Sequence, residues 1–194
     1  MKEYGKRSHA ALTIMRESIK IVIFAAIISS IGGIGLENAR EKLAAILPLL
    51  IMIPALNDMI GDYGTIISSK FTTMIYTGKV SVGAEALKSP ELGKLARIIF
   101  IAAFISAIYM GFISYAIAYY NGFAFSAGTL MKVVGAAVLS TTILVLTIFF
   151  VSVFAGIYVY RRREDPNNFL IPITTALADF ASMLLFSYII VWLF

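Results

Sequence analysis

Three aspartates stand in stretches that otherwise carry no charge: Asp58 and Asp62 in the run from Leu43 to about Ser69, and Asp179 in the run from Pro166 to Phe194. Asp58 and Asp62 are four residues apart, so on a helix both leave one face with Cβ atoms about 5–6 Å apart. Thr65 and Ser69 continue that stripe, and Asn57, Gly61, Gly64 and Ser68 form the strip beside it. In the second run Thr175, Asp179 and Ser182 share a helical face at i, i+4 and i+7. Pro54 has no N–H and frees the carbonyl of Leu50, while Gly61 and Gly64 predict close backbone approach and local unwinding. Carboxylates, hydroxyls and free carbonyls are oxygen ligands, the set that suits a hard cation. The chain has no cysteine and a single histidine, His9 in the charged N-terminal segment. Thiolate chemistry, cysteine zinc sites and disulfides are thereby excluded.

The elements that hold these residues are membrane spans. Of 194 residues, 60% are hydrophobic and 14% charged, with a mean hydropathy of +0.89. A soluble domain carries about 25% charge, so a soluble enzyme, a disordered chain and a secreted disulfide scaffold are excluded. A helix needs roughly 20 apolar residues to cross about 30 Å of hydrocarbon. Runs of that kind predict an all-α membrane protein of five transmembrane helices, near 18–36, 43–69, 98–120, 133–160 and 166–194. Residues 1–17 are left as an N-terminal segment able to lie along the membrane face. Asn121-Gly122 marks the turn after the third span. Glu85 to Arg97 reads as a connector with a short surface helix ending near Pro90. No signal-peptide cleavage pattern follows the first apolar run, which is therefore a retained span.

All but three of the 16 lysines and arginines fall in the N-terminal segment, in or beside the connection after the second span, and at Arg161-Arg162-Arg163. Arg40, Lys42 and Lys132 are the exceptions. The asymmetry predicts a cytoplasmic N-terminus and an outside C-terminus in the plasma membrane. It also accounts for the net charge of +5 without invoking a nucleic acid.

An ionised aspartate at the centre of a membrane helix costs roughly 2.5–3.5 kcal/mol on insertion scales. No basic residue lies in either span to offset this, Lys70 being the nearest. The carboxylates must be protonated, wet or facing a cation, and each alternative points to a permeation or coupling path. Ser106, Ser140, Thr141 and Thr142, by contrast, read as helix-packing residues.

At these positions the sequence resembles the MgtE family of magnesium channels and their eukaryotic solute-carrier relatives. The resemblance rests on Pro54 with Gly61-Asp62-Tyr63-Gly64-Thr65 in the second span, and on Asp165-Pro166-Asn167-Asn168 followed by Ile171-Pro172-Ile173-Thr174-Thr175-Ala176-Leu177-Ala178-Asp179 in the fifth. Thr72-Thr73 and Thr77-Gly78-Lys79 add to it. It implies a homodimer with a cation path at the two-fold axis, lined by spans two and five, with Asp179 matching the carboxylate that faces magnesium. Two opposed copies of Asp179 are poorly compatible unless a cation sits between them. Magnesium keeps its waters and would be held through them. The metal-site residues so expected are Asp179, Asp62, Asp58, Thr175, Gly61 and Gly64, with Asn57, Thr65 and Ser182 as pore-lining candidates. The cargo is Mg2+, with Mn2+, Co2+ or Ca2+ as alternatives.

The chain departs from the family pattern in two ways. It reads as a membrane domain alone, without the cytosolic sensor domains of bacterial members. Asp58 and Asp62 stand where the family more often has glycine and asparagine. A Na+- or H+-coupled carrier using Asp58 and Asp62 is therefore the alternative. A lipid-phosphate enzyme is disfavoured by the mid-span place of Asp179, and a non-transporting assembly subunit would tolerate loss of all three aspartates. No P-loop is present to couple transport to hydrolysis.

Overall fold

The computed structural model describes residue 19 and residues 22–194; the expected N-terminal segment 1–17 and His9 lie outside the described residues. Among the described residues the protein is all-α. Its helices are α1 (Val22–Asn38), α2 (Arg40–Ala45), α3 (Leu47–Tyr76), α4 (Pro90–Tyr120), α5 (Ala127–Arg161) and α6 (Pro166–Leu193), with a 3-10 turn at Ala84–Lys88 before α4. Of these, α4, α5 and α6 are long and apolar enough to cross a membrane, and α1 is a shorter apolar helix. α3, at 30 residues, is about 45 Å long but carries Asp58, Asp62 and Lys70.

Proline sets two helix starts differently from the sequence expectation. Pro48 is accommodated in the first turn of α3, and Ile46 leaves the helical region at φ −118°, ψ 81°. The expected span from Leu43 therefore divides into α2 and α3, because proline, having no N–H to donate, does not continue the helix that precedes it. Pro90 likewise opens α4, with the Ser89 hydroxyl accepting from Leu92 N, so the third span begins ahead of its expected start near residue 98. The short helix expected to end near Pro90 is present as the 3-10 turn Ala84–Lys88. At the far end α3 runs past Ser69 to Tyr76, since Phe71 and Ile75 are buried in the bundle. The helix is continuous through Pro54, Gly61 and Gly64, so the expected local unwinding is not seen.

Turn chemistry closes the hairpins. Gly122, at φ +91°, ends α4, with Gly122 N donating to Tyr119 O and Phe123 N to Ala118 O, both at 3.0 Å. This paired capping needs a left-handed residue, which glycine adopts without a Cβ clash. The Tyr115 hydroxyl donates to Ser126 O at 3.0 Å and accepts from Ser126 N at 2.8 Å, tying the loop back to α4. At the start of α6, Asp165 caps Asn167 N at 3.0 Å and Pro166 takes the first turn. The Asp165-Pro166 pair is thus a helix start signal in physical terms.

Large side chains such as Phe71, Phe186 and Leu49 fill the core, while small residues sit where helices approach closely and many large apolar side chains face outward. On α4, Ala103, Ala107 and Gly111 are buried while Ile98, Ile101, Phe104 and Tyr109 are exposed. On α5, Ser140, Thr141 and Gly156 are buried and Phe150, Phe154 and Tyr158 exposed. A Cβ added at Gly111 would stand 3.0 Å from Val134 Cα, so α4 and α5 approach backbone to backbone. Close packing through small residues with large side chains turned outward suits a bundle whose solvent is lipid. Buried hydroxyls link the centre: Ser68 lies 3.2 Å from the Ser152 hydroxyl and 3.4 Å from that of Thr174.

Helix directions follow from residue pairs. Asn57 meets Asp179, Gly61 meets Thr175 and Gly64 meets Thr174, so α3 and α6 are antiparallel. Ser29 meets Asp179, Gly32 meets Phe180 and Gly35 meets Leu184, so α1 runs parallel to α6. At the end of α6, the ammonium of Lys42 donates to Val191 O at 2.8 Å and that of Lys132 to Leu193 O at 2.7 Å. Positive charge there offsets the unsatisfied carbonyls of a helix C-terminus.

Candidate cation site

Asp179 lies half-buried on α6 at the point where α1 and α3 both approach it. Its Oδ1 accepts from Asn57 Nδ2 at 2.8 Å and its Oδ2 from the Ser29 hydroxyl at 3.0 Å. An ionised carboxylate accepts only, and with about four lone-pair directions it keeps acceptor capacity beyond these two bonds. The buried Ser182 hydroxyl lies against Asn57 Oδ1 and also 3.0 Å from the backbone carbonyl of Asp179. Donation from Ser182 to Asn57 Oδ1 turns the amide so that its NH2 faces Asp179. One α6 turn thus supplies both the carboxylate and the hydroxyl that orients its partner on α3.

An open cleft of about 550 Å³ runs between α3 and α6. Asn57, Asp58, Gly61, Asp62, Thr65, Thr175 and Asp179 all line it, together with Pro54. Asp58 and Asp62 are exposed, as their i, i+4 spacing on one face allows. The Thr65 hydroxyl donates to Gly61 O at 3.2 Å and that of Thr175 to Ile171 O at 2.9 Å. Each has spent its proton on its own helix, and its oxygen remains an acceptor. Gly61 is buried beside Thr175, where a Cβ would sit 3.9 Å from Thr175 Cγ2. Gly64 and Ser182 do not line the cleft. A Cβ at Gly64 would come 3.2 Å from Thr174 Cβ, so this glycine serves the packing of α3 on α6.

The neighbouring strips on α3 therefore divide their tasks. Asp58 and Asp62 open to the cleft, Gly61 is buried at its wall, and Gly64 and Ser68 are buried against the bundle. A second cavity, of about 580 Å³, lies on the other side of Asp179 and is lined by Ser29, Ser30, Pro172, Thr175 and Asp179. Asp179 and Thr175 border both spaces.

Among the described residues no three histidine, aspartate or glutamate side chains converge as a metal cluster. The three aspartates share a cleft but do not close into a dehydrated cage. Ser29 is the contributor that the sequence reading missed. Its only local signal is a small-residue segment, Ser29-Ser30 followed by Gly32, Gly33 and Gly35, and nothing in that segment says which helix it meets.

A family model for MgtE, described as a divalent cation transporter, matches residues 53–189, well over half of the chain. The chain belongs to the MgtE family. The match takes in Asn57, Asp58, Asp62 and Asp179, so both walls of the cleft are MgtE sequence, while α1 with Ser29 precedes it. No curated protein sequence matches the chain at a significant level. As an MgtE-family member the protein is a divalent-cation transporter rather than an enzyme, and a multi-pass protein of the plasma membrane.

Proposed function

We propose that two copies of this MgtE-family chain form a pore for Mg2+ lined by α3 and α6, with Asp179 of each copy facing the ion through its water shell. The observation that carries the reading is the place of Asp179: held by donors from two other helices, it borders a space on either side. Magnesium dehydrates reluctantly and keeps several waters, so it is typically held by one or two carboxylates rather than an all-protein cage. An aspartate, with threonine and amide acceptors nearby, suits that outer contact. Asp58 and Asp62 support a paired arrangement, because exposed carboxylates on a membrane helix need water, a cation or protein over them. Asp179, Asp62, Asp58, Thr175 and the Gly61 carbonyl are the proposed ion-facing groups, with Asn57 and Thr65 along the path and Ser182 and Gly64 behind it.

In this reading residues 1–194 form one MgtE-like membrane domain of five spans: α1, α3, α4, α5 and α6. The parallel course of α1 and α6 fits an odd number of crossings, with the N-terminus cytoplasmic and the C-terminus outside. The lysines at the end of α6, Lys42 and Lys132, are then outside cations.

The test is Mg2+ uptake by proteoliposomes containing parent protein or Asp179→Asn, which keeps the shape and removes the charge. Uptake should fall to background in the variant while the protein still folds and assembles. Parent-level uptake by folded Asp179→Asn would refute the pore assignment. A second reading, Na+- or H+-coupled exchange at Asp58 and Asp62, is favoured by the absence of an ion pair at either carboxylate among the described residues. It requires uptake that follows an imposed Na+ or pH gradient.

A further inference from the structure

A separate concave site lies at the opposite end of α3 from α2, where α3 gives way to the connection leading into α4. A groove of about 410 Å³ is lined there by apolar Met74, Leu95 and Ile98 and by Lys70, Lys79 and Lys94. Three separate elements bring the lysines together: Lys70 is on α3, Lys94 on α4, and Lys79 in the connection between them. Glu91 is the one acidic side chain on the lining, so the groove carries a net positive charge. Among the described residues the one ion pair joins Arg40 and Glu37, and none of the three lysines takes part in a salt bridge. The neighbouring Thr73 and Thr77 hydroxyls donate to Ser69 O and Thr73 O, which leaves the ammonium groups as the groove's free donors.

The combination selects the ligand class. A free anion would find the lysines but gains nothing from Met74, Leu95 and Ile98, the last of which is 65% exposed. A plain acyl chain would fill the apolar part and leave three cations unanswered. An amphiphile with an anionic head satisfies both, the lysine stems lying along apolar surface with their charges at its edge. We propose that this groove binds an anionic phospholipid of the surrounding bilayer, its phosphate between Lys70, Lys79 and Lys94 and an acyl chain along Leu95 and Ile98. Basic pockets between membrane helices recognise lipid headgroups on this physical basis. The proposal stands apart from the ion path, since none of its residues lines the aspartate cleft.

The test titrates the purified, delipidated full chain in detergent with phosphatidylglycerol, with phosphatidylcholine of the same acyl chains, and with inorganic phosphate. Binding is read by native mass spectrometry and by the thermal midpoint. Phosphatidylglycerol should bind and raise the midpoint, and the other two should not. At about fivefold per lysine, the Lys70→Gln, Lys79→Gln, Lys94→Gln triple variant should lose about 100-fold in affinity. Lys88→Gln, on the 3-10 turn outside the groove, should leave binding unchanged, and Glu91→Gln should strengthen it severalfold by removing the opposing charge. Equal binding of both lipids, or an unaltered triple variant, overturns the proposal. Phosphate binding as tightly as phosphatidylglycerol also overturns it, and assigns the lysines to a soluble anion. If the triple variant does not fold, Glu91→Gln decides, and failure to strengthen binding counts against the site.

Discussion

Asn57 and Asp179 lie 122 residues apart in the chain, yet the amide nitrogen of one stands 2.8 Å from Oδ1 of the other. The bond crosses the antiparallel pair α3 and α6 and fixes the carboxylate at the cleft wall. Ser182, three residues beyond Asp179 on the same helix, holds the other end of the amide.

Removing this donor should impair transport without unfolding the protein. A hydrogen bond to a charged group contributes about 1.5–3 kcal/mol. If that energy holds the conducting orientation, Asn57→Ala should slow Mg2+ uptake by proteoliposomes at least about tenfold. Ser182→Ala leaves the amide in place and should cost less. Undiminished flux in Asn57→Ala would show that the carboxylate needs no positioning.

Ser29 supplies the second bond to Asp179 from a helix that precedes the matched family segment. Ser29→Ala should therefore reduce uptake in the same assay, and Ser30→Ala should not, because the Ser30 hydroxyl donates to Ala26 O of its own helix at 2.8 Å. Equal effects of the two changes would reject a specific role for Ser29.

Packing glycines should differ sharply in their tolerance of a methyl group. A Cβ at Gly156 would lie 2.8 Å from Phe71 Cε1 and 3.1 Å from Leu170 Cδ1, and both side chains are fully buried. Overpacking of this kind costs about 1–3 kcal/mol, so Gly156→Ala should lower the thermal midpoint in detergent. Nothing lies within 4 Å of a Cβ at Gly135. Gly135→Ala should leave the midpoint unchanged or raise it, since alanine is favoured over glycine in a helix by about 0.8–1.0 kcal/mol.

The link from α4 to α5 depends on one phenol. Tyr115→Phe strips Ser126 N and Ser126 O of the hydroxyl that both contact, at about 0.5–1.5 kcal/mol per hydrogen bond, since Ser126 is exposed. Hydrogen exchange should speed up across residues 121–127 in this variant. Exchange that stays slow there would mean that the aromatic packing of Tyr115 with Phe123 and Phe125 suffices.

Much of the fold was legible because the signals are local. Apolar runs between charged turns marked the long helices, and Asn121-Gly122 marked a turn that requires a left-handed residue. The i, i+4 spacing of Asp58 and Asp62 placed both on one face, and the structure has both on the cleft. Helix starts were read less well. Pro48 and Pro90 stand in the first turns of α3 and α4, and one residue type breaks a helix or begins one according to which side of it is hydrogen-bonded.

The candidate site was legible as composition and hidden as geometry. Local periodicity is fixed by 3.6 residues per turn, so the sequence by itself determined which residues share a helical face and that oxygen ligands sit in apolar runs. Which faces meet is a matter of packing between segments more than a hundred residues apart, and periodicity carries no information about that. Tertiary structure alone decided that Gly64 packs on Thr174 instead of lining the cleft, that Ser182 acts through Asn57, and that Ser29 reaches Asp179.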